Sequence, residues 1–483
     1  MKPLSLCEYQ WVRPWPNDRP PENDGRGIRL PQSLYHVLEE WDFAQAGGEE
    51  GKTVFHWQHQ KAVARQYVGV IQLGRVTIEI LPKTARAKED ELLSETRRER
   101  ERGNLIEMLR TSGLVALRER GVAPQTLRRL PLFEAILFIF ASALLAELRE
   151  GSPRAYVRRE ENLYHWKGKL HAARQATRNL LHPERFYVRY SEFSLETPLA
   201  RVLRTGVLLA RQFSSLPETH RVLGSCIPWL GGLNNTLQTP DEVHVAFTRQ
   251  NERFRPVHDF SLQLLRQKLN APVSGHTRTF SLLFDMNQVF EGYVTQLYRE
   301  IGLLHGLRVV AQGEGQGEHL LYAHSDLKKG GRRPHLKPDI LLRGREFTKN
   351  DPPVAVLDTK WKLTALGEES VTDLYQLYAY AGQFGAPQNV LLYPWQGISN
   401  GQRIETKNLG FLHQHGLNGQ PSTQSVISAR LNVNRKLFDP IEREIVKREL
   451  FMLFPSRTDG TDERCKLGEA EYHSTESSLS SLP

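Results

Sequence analysis

Cysteine is scarce in this sequence. The three cysteines, Cys7, Cys226 and Cys465, are odd in number and far apart along 483 residues, so they support neither a disulfide framework nor a zinc site. Long apolar runs are also missing. The run at residues 135–146, with Ser142 as its polar member, is shorter than the roughly twenty residues that cross a bilayer. We therefore expect incidental thiols, a helix buried in a protein core, and no membrane function.

The amino terminus lacks the pattern of a secretory signal. Its first residues mix Lys2, Glu8 and Arg13 with prolines and contain no apolar core. Internal repeats are absent as well, which argues against a solenoid. We therefore expect a soluble globular protein of the cytoplasm. The net charge of +9 favours contact with nucleic acid, although the same excess spread over this length is compatible with an ordinary solvated surface.

The length predicts roughly two to three domains, because one compact core cannot accommodate so many residues. Residues 1–85 are rich in proline, glycine and aromatic residues. Two alternating runs, at 67–73 and 75–81, flank Gly74 and are typical of a β-hairpin. We therefore predict an amino-terminal β-rich domain over residues 1–85.

Residues 46–53 within this domain match the loose pattern of a phosphate-binding loop. Such a loop leaves an apolar strand and opens a helix, whereas the residues before this segment are polar and strand-like residues follow it. Its two glutamates, Glu49 and Glu50, would also repel phosphate. We interpret the segment as a turn between strands, so the chain has no nucleotide site here.

Residues 86–275 are predicted to form a mainly helical middle region. Acidic and basic residues alternate densely at 87–102, which indicates a solvated helix or a mobile connector. Residues 156–190 combine basic and aromatic side chains, and either a nucleic-acid surface or exposed strands and loops would fit them. Further helices are predicted at 104–117, 132–148, 197–213 and 260–269.

Residues 336–362 contain the strongest candidate for a functional site. Two apolar runs, at 340–342 and 354–357, are separated by a segment rich in turn-forming residues, which predicts adjacent strands. Asp339 opens the first strand and Asp358 closes the second. Because side chains alternate across a strand, Asp358 and Lys360 are predicted to lie on the same face.

Phosphodiester hydrolysis uses this combination of residues. Mg²⁺ prefers carboxylate oxygens and water, and a nearby cation offsets the charge that grows at phosphorus. Asp339 and Asp358 would hold the metal, and Lys360 would orient or activate water. The pattern taken alone is equally compatible with a solvated Asp/Lys pair on an edge strand.

The segments around this pattern favour the nuclease interpretation. Residues 371–384 show the spacing of an amphipathic helix, on which Gln376 and Tyr380 face the sheet. Residues 280–301 are predicted as a second helix that carries Glu291 among apolar neighbours, and 389–393 as a further strand. This order of elements fits a small α/β sheet nuclease.

Between residues 280 and 393 the chain resembles the nuclease domain of McrC, the cleavage subunit of the McrBC modification-dependent restriction systems. The similarity rests on five blocks that occur in the family's order: residues 282–291, 337–340, 357–362, 373–380 and 391–394. Residues 67–84 additionally resemble the amino-terminal strand pair of that family.

The resemblance implies a multidomain α+β fold with an amino-terminal β-rich domain, a helical middle layer and a carboxy-terminal α/β domain of the PD-(D/E)xK restriction-endonuclease-like class. The nuclease domain would span residues 276–455, and residues 456–483, poor in large apolar residues, are predicted to be disordered. The metal ligands implied for Mg²⁺ are Asp339, Asp358 and Glu291. The catalytic residues implied are Asp339, Asp358, Lys360, Gln376 and Tyr380.

The resemblance also implies a function and partners. The chain would cut double-stranded DNA as the nuclease subunit of a restriction complex and stimulate an McrB-like AAA+ GTPase hexamer. That partner would recognise the modified base, a modified cytosine, and would dock on residues 1–85. Two alternatives stay open: a stand-alone repair or recombination nuclease of the same superfamily, and a non-catalytic adaptor that retains the fold.

Overall fold

The computed structural model describes residues 3–85, 95–115, 127, 129–269, 279–311, 318–319, 335–346, 351–396, 402–409 and 424–454. The predicted tail at 456–483 lies outside these residues. Among the described helices, none is both long and apolar enough to cross a membrane.

The amino-terminal part forms two sheets around one helix. Its strands are β1 (Leu4–Cys7), β2 (Trp11–Trp15), β3 (Glu22–Asn23), β4 (Gly27–Pro31), β5 (Phe55–Gln58), β6 (Lys61–Ala64), β7 (Tyr67–Leu73) and β8 (Val76–Leu81). Helix α1 (Gln32–Gln45) buries Leu38 and Trp41 against the five-stranded sheet β3-β4-β2-β6-β5. The predicted hairpin is confirmed, because β7 and β8 pair antiparallel.

The segment at residues 46–53 follows helix α1 and continues into a short 3-10 turn, Glu50–Lys52. It is therefore a turn between a helix and a strand, and our interpretation of a turn between two strands was wrong about the preceding element. Asp42, near the end of α1, is buried and accepts hydrogen bonds from Val54 N at 2.7 Å and Phe55 N at 2.9 Å. These bonds fix how the chain leaves the helix.

The middle part consists of helices packed together and one projecting sheet. The helices are α2 (Glu95–Thr111), α3 (Leu132–Glu150), α4 (Ala172–Arg178), α5 (Pro198–Phe213), α6 (Pro217–Leu230) and α7 (Arg255–Leu269). The strands are β9 (Ala155–Leu163), β10 (Lys169–Leu170) and β11 (Phe186–Ser194), in the order β10-β11-β9. The apolar run at 135–146 lies in α3 and contributes to the main core, as predicted.

Helix α2 differs from the predicted solvated connector. Glu101 and Arg102 are 1% and 3% exposed. Arg102 donates from Nε and Nη2 to the buried carboxylate of Glu79 at 2.9 and 2.8 Å, and Thr84 Oγ1 donates to Glu101 at 2.9 Å. Glu79 on β8 pairs with Arg102, while Thr84 and the neighbouring Arg100 contact Glu101, which is why these charged residues of α2 become buried.

The carboxy-terminal part is built on a six-stranded sheet in the order β13-β16-β17-β18-β20-β19. Its strands are β13 (Leu307–Ala311), β16 (Ile340–Gly344), β17 (Ala355–Thr359), β18 (Gln388–Trp395), β19 (Ile404–Leu409) and β20 (Ser425–Asn432). Two short strands, β14 (Glu318–His319) and β15 (His335–Leu336), pair separately. The helices are α8 (Met286–His305), α9 (Val371–Phe384) and α10 (Pro440–Phe451).

Residues 280–301 are not one helix. Strand β12 (Thr279–Asp285) precedes α8 and pairs antiparallel with β7, completing the four-stranded sheet β1-β8-β7-β12. The helix begins where Asp285 accepts a hydrogen bond from Asn287 N at 2.8 Å. The apolar run preceding Asp285 suits a buried strand as well as a helix, and its partner β7 is distant in sequence.

The six-stranded sheet separates two apolar layers. One face, with Leu357 and Leu392, joins the main core formed with α8 and the middle helices. The other face packs against α9, where Leu377 meets Leu391 and Tyr393, and Tyr380 meets Val356. The candidate site lies on the α9 side, at the carboxyl ends of the parallel strands β17 and β18.

Candidate metal centre and active site

Two aspartates meet where β16 begins and β17 ends. The strands are antiparallel, with Ile340 opposite Leu357, so Asp339 lies beside the end of β17. Asp339 Oδ2 accepts hydrogen bonds from Thr359 N at 2.7 Å and Thr359 Oγ1 at 2.8 Å. Asp339 is 8% exposed and Asp358 is 0% exposed. The structure therefore brings the two predicted carboxylates together at one buried position.

Lys360 connects the carboxylates to helix α9. Its Nζ lies 2.7 Å from Asp358 Oδ2 and donates a hydrogen bond to Gln376 Oε1 at 3.0 Å. Gln376 Nε2 donates to the Tyr380 hydroxyl at 2.7 Å, and that hydroxyl donates to the Lys337 carbonyl at 3.1 Å. Gln376 and Tyr380, four residues apart on α9, thus hold the ammonium at a fixed position beside Asp358.

Burial raises the pKa of each carboxylate of the site. Burial, followed by the charge of Asp339, raises the pKa of Asp358, while Lys360 opposes this shift. Burial also raises the pKa of Asp339, against the hydrogen bonds from Thr359. Burial and the charges of both aspartates raise the pKa of Glu291, on α8, to about 7. One lysine therefore does not balance this group of acids, and additional positive charge would stabilise it.

The carboxylate oxygens of Asp339 and Asp358 are suitable ligands for Mg²⁺. Among the described residues, neither buried oxygen of Asp358 accepts a hydrogen bond. Oδ2 forms the ion pair with Lys360, and Oδ1 has no partner. A buried carboxylate oxygen without a donor favours a cation. Mg²⁺ is commonly held by one or two carboxylates together with water and substrate oxygens.

Glu291 does not join the aspartates as a third close ligand. Within the described ranges no group of three or more histidine, cysteine, aspartate or glutamate side chains lies at the spacing of a metal site. Glu291 is near enough for the aspartates to shift its pKa, and it is only partly buried. The structure therefore places it beside the pair, where its predicted role as a ligand stays a prediction.

The polar layer under α9 continues beyond the predicted site residues. Lys362 Nζ donates to both oxygens of Asp373 at 2.9 Å, and the Tyr393 hydroxyl donates to Asp373 Oδ2 at 3.1 Å. Asp373 is thereby paired with a cation and a hydroxyl. It anchors the start of α9 on the sheet instead of adding a free carboxylate to the site.

The projecting sheet, formed by β9, β10, β11, the loop at 164–168 and the flanking α4, exposes several aromatic side chains. Tyr156 is 75% exposed, Tyr164 66%, Trp166 59% and Phe193 54%. Lys167 Nζ lies 3.8 Å from the centroid of the Tyr190 ring. Every residue of α4 is at least partly exposed. Residues 156–190 therefore form exposed strands, loops and a short helix, which was one of the two interpretations of this segment.

The sequence of the chain matches the family model described as "McrBC 5-methylcytosine restriction system component" over residues 62–394. This range is more than half of the chain, and it contains all of the predicted site residues. The chain belongs to the McrBC family. Among curated proteins no significant match was found.

One solved structure shows a fold similar to that of this chain. The chain matches one in the refined half-complex from a tetradecameric assembly of Thermococcus gammatolerans McrB AAA+ hexamers with bound McrC. The identity is 19%, the TM-score is 0.57, and the match covers 92% of this chain and 100% of that chain. A match to the Thermococcus gammatolerans McrBC complex has 21% identity and a TM-score of 0.43, covering 62% of this chain and 87% of that one. The second score is too low to support an argument.

Proposed function

We propose that this protein is the Mg²⁺-dependent DNA endonuclease subunit of an McrBC-like, modification-dependent restriction complex. The observation that supports this most strongly is the pair of buried aspartates, Asp339 and Asp358, with the ammonium of Lys360 2.7 Å from one of them. We assign the domain to the PD-(D/E)xK class because the Pro338-Asp339 step and the Asp358-Thr359-Lys360 strand end converge on one position.

Asp339 and Asp358 would hold Mg²⁺, which would supply charge to the scissile phosphate and lower the pKa of a bound water. In the hydrolysis, the oxygen of a water molecule forms a bond to phosphorus while one ester P–O bond breaks, and the leaving oxygen takes up a proton. Lys360, held by Gln376, would orient the attacking water and stabilise the charge that grows on the phosphoryl oxygens.

The partner of this subunit is proposed to be an McrB-like AAA+ GTPase hexamer that recognises modified cytosine in double-stranded DNA. The matched Thermococcus structure is described as containing McrB AAA+ hexamers with bound McrC. The phosphate-loop-like segment at 46–53 leads from α1 through a 3-10 turn to β5 and opens no α-helix, which fits a motor on a separate chain. We propose the cytoplasm as the location of the complex, since its DNA substrate lies there.

Two surfaces of this chain are candidates for motor docking. Residues 1–85 are the docking surface that the resemblance predicts, and most of their large apolar side chains pack inside, around α1. The projecting sheet exposes the aromatic residues Tyr156, Tyr164 and Trp166. Because exposed aromatic residues commonly dominate the energetics of interfaces, we propose the projecting sheet as a second docking surface beside the predicted one.

The proposal is tested by replacing the site residues in the complete complex. Asp339→Ala, Asp358→Ala and Lys360→Met are each expected to reduce cleavage of methylated DNA by about 10²- to 10³-fold, because loss of a group acting on the developing charge costs this much. Stimulation of GTP hydrolysis by the partner hexamer is expected to persist, since none of these three residues belongs to either candidate docking surface.

Matched controls come from the same sheet. Asp351→Ala changes an exposed aspartate in the turn before β17, and Lys407→Met changes an exposed lysine on β19. Both are expected to cleave normally. Magnesium-dependent cutting by the purified chain without a motor would favour a stand-alone nuclease, and absence of cleavage by the wild-type complex would favour an adaptor. Full cleavage by folded Asp358→Ala would refute the assignment of the site.

A further inference from the structure

Two buried charged residues of the amino-terminal part contact the strand end that carries Lys360. Lys83, in the 3-10 turn after β8, donates a hydrogen bond from Nζ to the carbonyl oxygen of Trp361. The carboxylate of Glu8 accepts hydrogen bonds from Lys83 N at 2.8 Å and from Trp361 Nε1 at 3.0 Å. Glu8, Trp361 and Lys83 are 0%, 3% and 8% exposed.

These contacts fix the main chain just beyond the end of β17, where the hydrogen bonds of the sheet stop. β17 ends at Thr359, and Lys360 N makes a last bond to Leu392 O at 2.9 Å. The following residues, 361–370, form no helix or strand. The carbonyl and the indole of Trp361, immediately after Lys360, are bound by Lys83 and Glu8 respectively. The direction in which the chain leaves Lys360 therefore depends on the amino-terminal part.

The same pair reaches the other elements around the site. The Trp361 ring packs on Phe290 with centroids 5.4 Å apart, and Phe290 precedes Glu291 on α8. Gln396 Nε2, after β18, donates to the Lys83 carbonyl at 3.2 Å. Lys83 and Glu8 thus lie at the junction of β17, β18 and α8, and a movement there would reach each of these elements.

We propose that Glu8 and Lys83 are positioning residues of the nuclease site, which fix the backbone next to Lys360 from positions 353 and 278 residues before Trp361. The inference rests on the proposed function of Lys360. Burying a lysine costs side-chain entropy and desolvation, and an apolar pair could fill the same space. What an apolar pair could not provide is the directed bond to the Trp361 carbonyl and the fixed indole.

Lys83→Met tests this proposal, because methionine keeps much of the apolar stem and removes the ammonium. Lys52→Met is the matched control, since Lys52 is exposed in the same amino-terminal part. Circular dichroism and thermal unfolding verify the fold. Two quantities are then measured on the full-length chain: the extent of Lys360 acylation by an amine-reactive reagent, read by mass spectrometry, and the single-turnover cleavage rate with the motor at saturating Mg²⁺.

Lys83→Met is expected to raise Lys360 acylation several-fold and to lower the cleavage rate about tenfold or more, because small misplacements of a catalytic group have effects of this size. Lys52→Met should change neither. If the wild type does not cleave, the proposed function fails, while a change in Lys360 acylation would still support positioning. Unchanged acylation and an unchanged rate in the folded variant would overturn the inference.

Glu8→Gln provides a second variant should Lys83→Met fail to fold, since glutamine preserves the shape and can still accept from the indole. Glu8→Gln is also expected to raise Lys360 acylation. The ammonium of Lys83 loses the negative charge of Glu8, which weakens its hold on the Trp361 carbonyl next to Lys360. In the double variant the two effects are expected to be less than additive, since each residue acts through the other. Strict additivity would mean that the two residues act separately and would refute a shared positioning role.

Discussion

The surroundings of Asp358 leave its negative charge incompletely balanced, even with the ammonium of Lys360 beside it. Asp358 is fully buried, its pKa is raised by burial and by Asp339, and its Oδ1 has no hydrogen-bond donor within the described part of the chain. The ammonium of Lys360 forms an ion pair with Asp358 and also donates a hydrogen bond to Gln376. A structural ion pair would be expected to satisfy its acid more completely, so these features favour a site that is completed by metal and substrate.

Glu291→Gln is expected to raise the Mg²⁺ concentration for half-maximal cleavage by about tenfold, the lower end of effects from groups around metal ligands. The carboxylate of Glu291 adds negative charge beside the aspartates, which attracts the cation, and the amide would not. A Mg²⁺ titration of the cleavage rate measures this change.

Glu368→Gln is the control for this titration, because Glu368 is an exposed acid in the loop after β17. It should leave the Mg²⁺ requirement at the wild-type value. An equal requirement in Glu291→Gln and the wild type would instead make Glu291 a surface acid of α8 without influence on the metal.

Helix α9 shows what local sequence can specify at the level of an element. It spans Val371–Phe384, the predicted bounds, because its apolar stripe repeats at helical spacing and Gly385 ends it in the left-handed conformation with φ of 65°. Strand β12 shows the opposite case. Its apolar run suited either a helix or a strand, and the choice was made by pairing with β7.

Close approach of two helices gives a test at this scale. A Cβ on Gly206, in α5, would lie 2.1 Å from Ser261 Oγ and 2.7 Å from Ser261 Cβ, in α7. Gly206→Ala is therefore expected to lower the free energy of unfolding by about 1–3 kcal/mol through overpacking. Denaturant unfolding measures the change.

The control for Gly206 is another helical glycine. In α6, a Cβ on Gly224 would meet no atom within 4 Å. Gly224→Ala is expected to stabilise the protein by up to about 1 kcal/mol, since alanine favours the helix. If Gly206→Ala stabilised the protein equally, the packing of α5 on α7 would be looser than described.

The projecting sheet gives a functional test. Trp166 is 59% exposed, and Trp166→Ala is expected to weaken stimulation of the partner's GTP hydrolysis about tenfold or more at subsaturating concentrations, because an interface tryptophan commonly contributes about 2 kcal/mol or more. Trp229→Ala, which changes a tryptophan 39% exposed on α6, is the control. Equal stimulation by both variants would leave residues 1–85 as the candidate docking surface.

The whole molecule contains one proposed site, and this limits what one copy can do. One pair of carboxylates aligns one phosphate at a time, so a double-strand break needs two copies or two successive events. No long heptad pattern appears in the sequence, and we expect the motor assembly to bring the copies together.

Mixing the active chain with an excess of Asp358→Ala chain, in the presence of the motor, tests this requirement. We expect nicked DNA to accumulate in place of linear DNA, because most assemblies would pair one active site with one inactive site. Gel electrophoresis of a plasmid substrate distinguishes the products. Linear product in proportion to the active chain, without a nicked intermediate, would show that one copy cuts both strands.

The sequence by itself determined the local parts of the site. A period of 2 residues places Lys360 on the same face as Asp358 at the strand end, close to Asp339. A period of 3.6 residues places Gln376 and Tyr380 on one face of their helix. Both periods act over short distances along the chain. The structure brings these side chains together, while the roles assigned to them stay predictions.

Only the tertiary structure decided the long-range features. Burial of Arg102 depends on Glu79, the choice of strand for β12 depends on β7, and the fixing of Trp361 depends on Glu8 and Lys83. In each case the partner is distant in the chain. A residue's local pattern contains no information about which distant group will satisfy its hydrogen bonds or charge, because that pairing is set by how the sheets and helices pack.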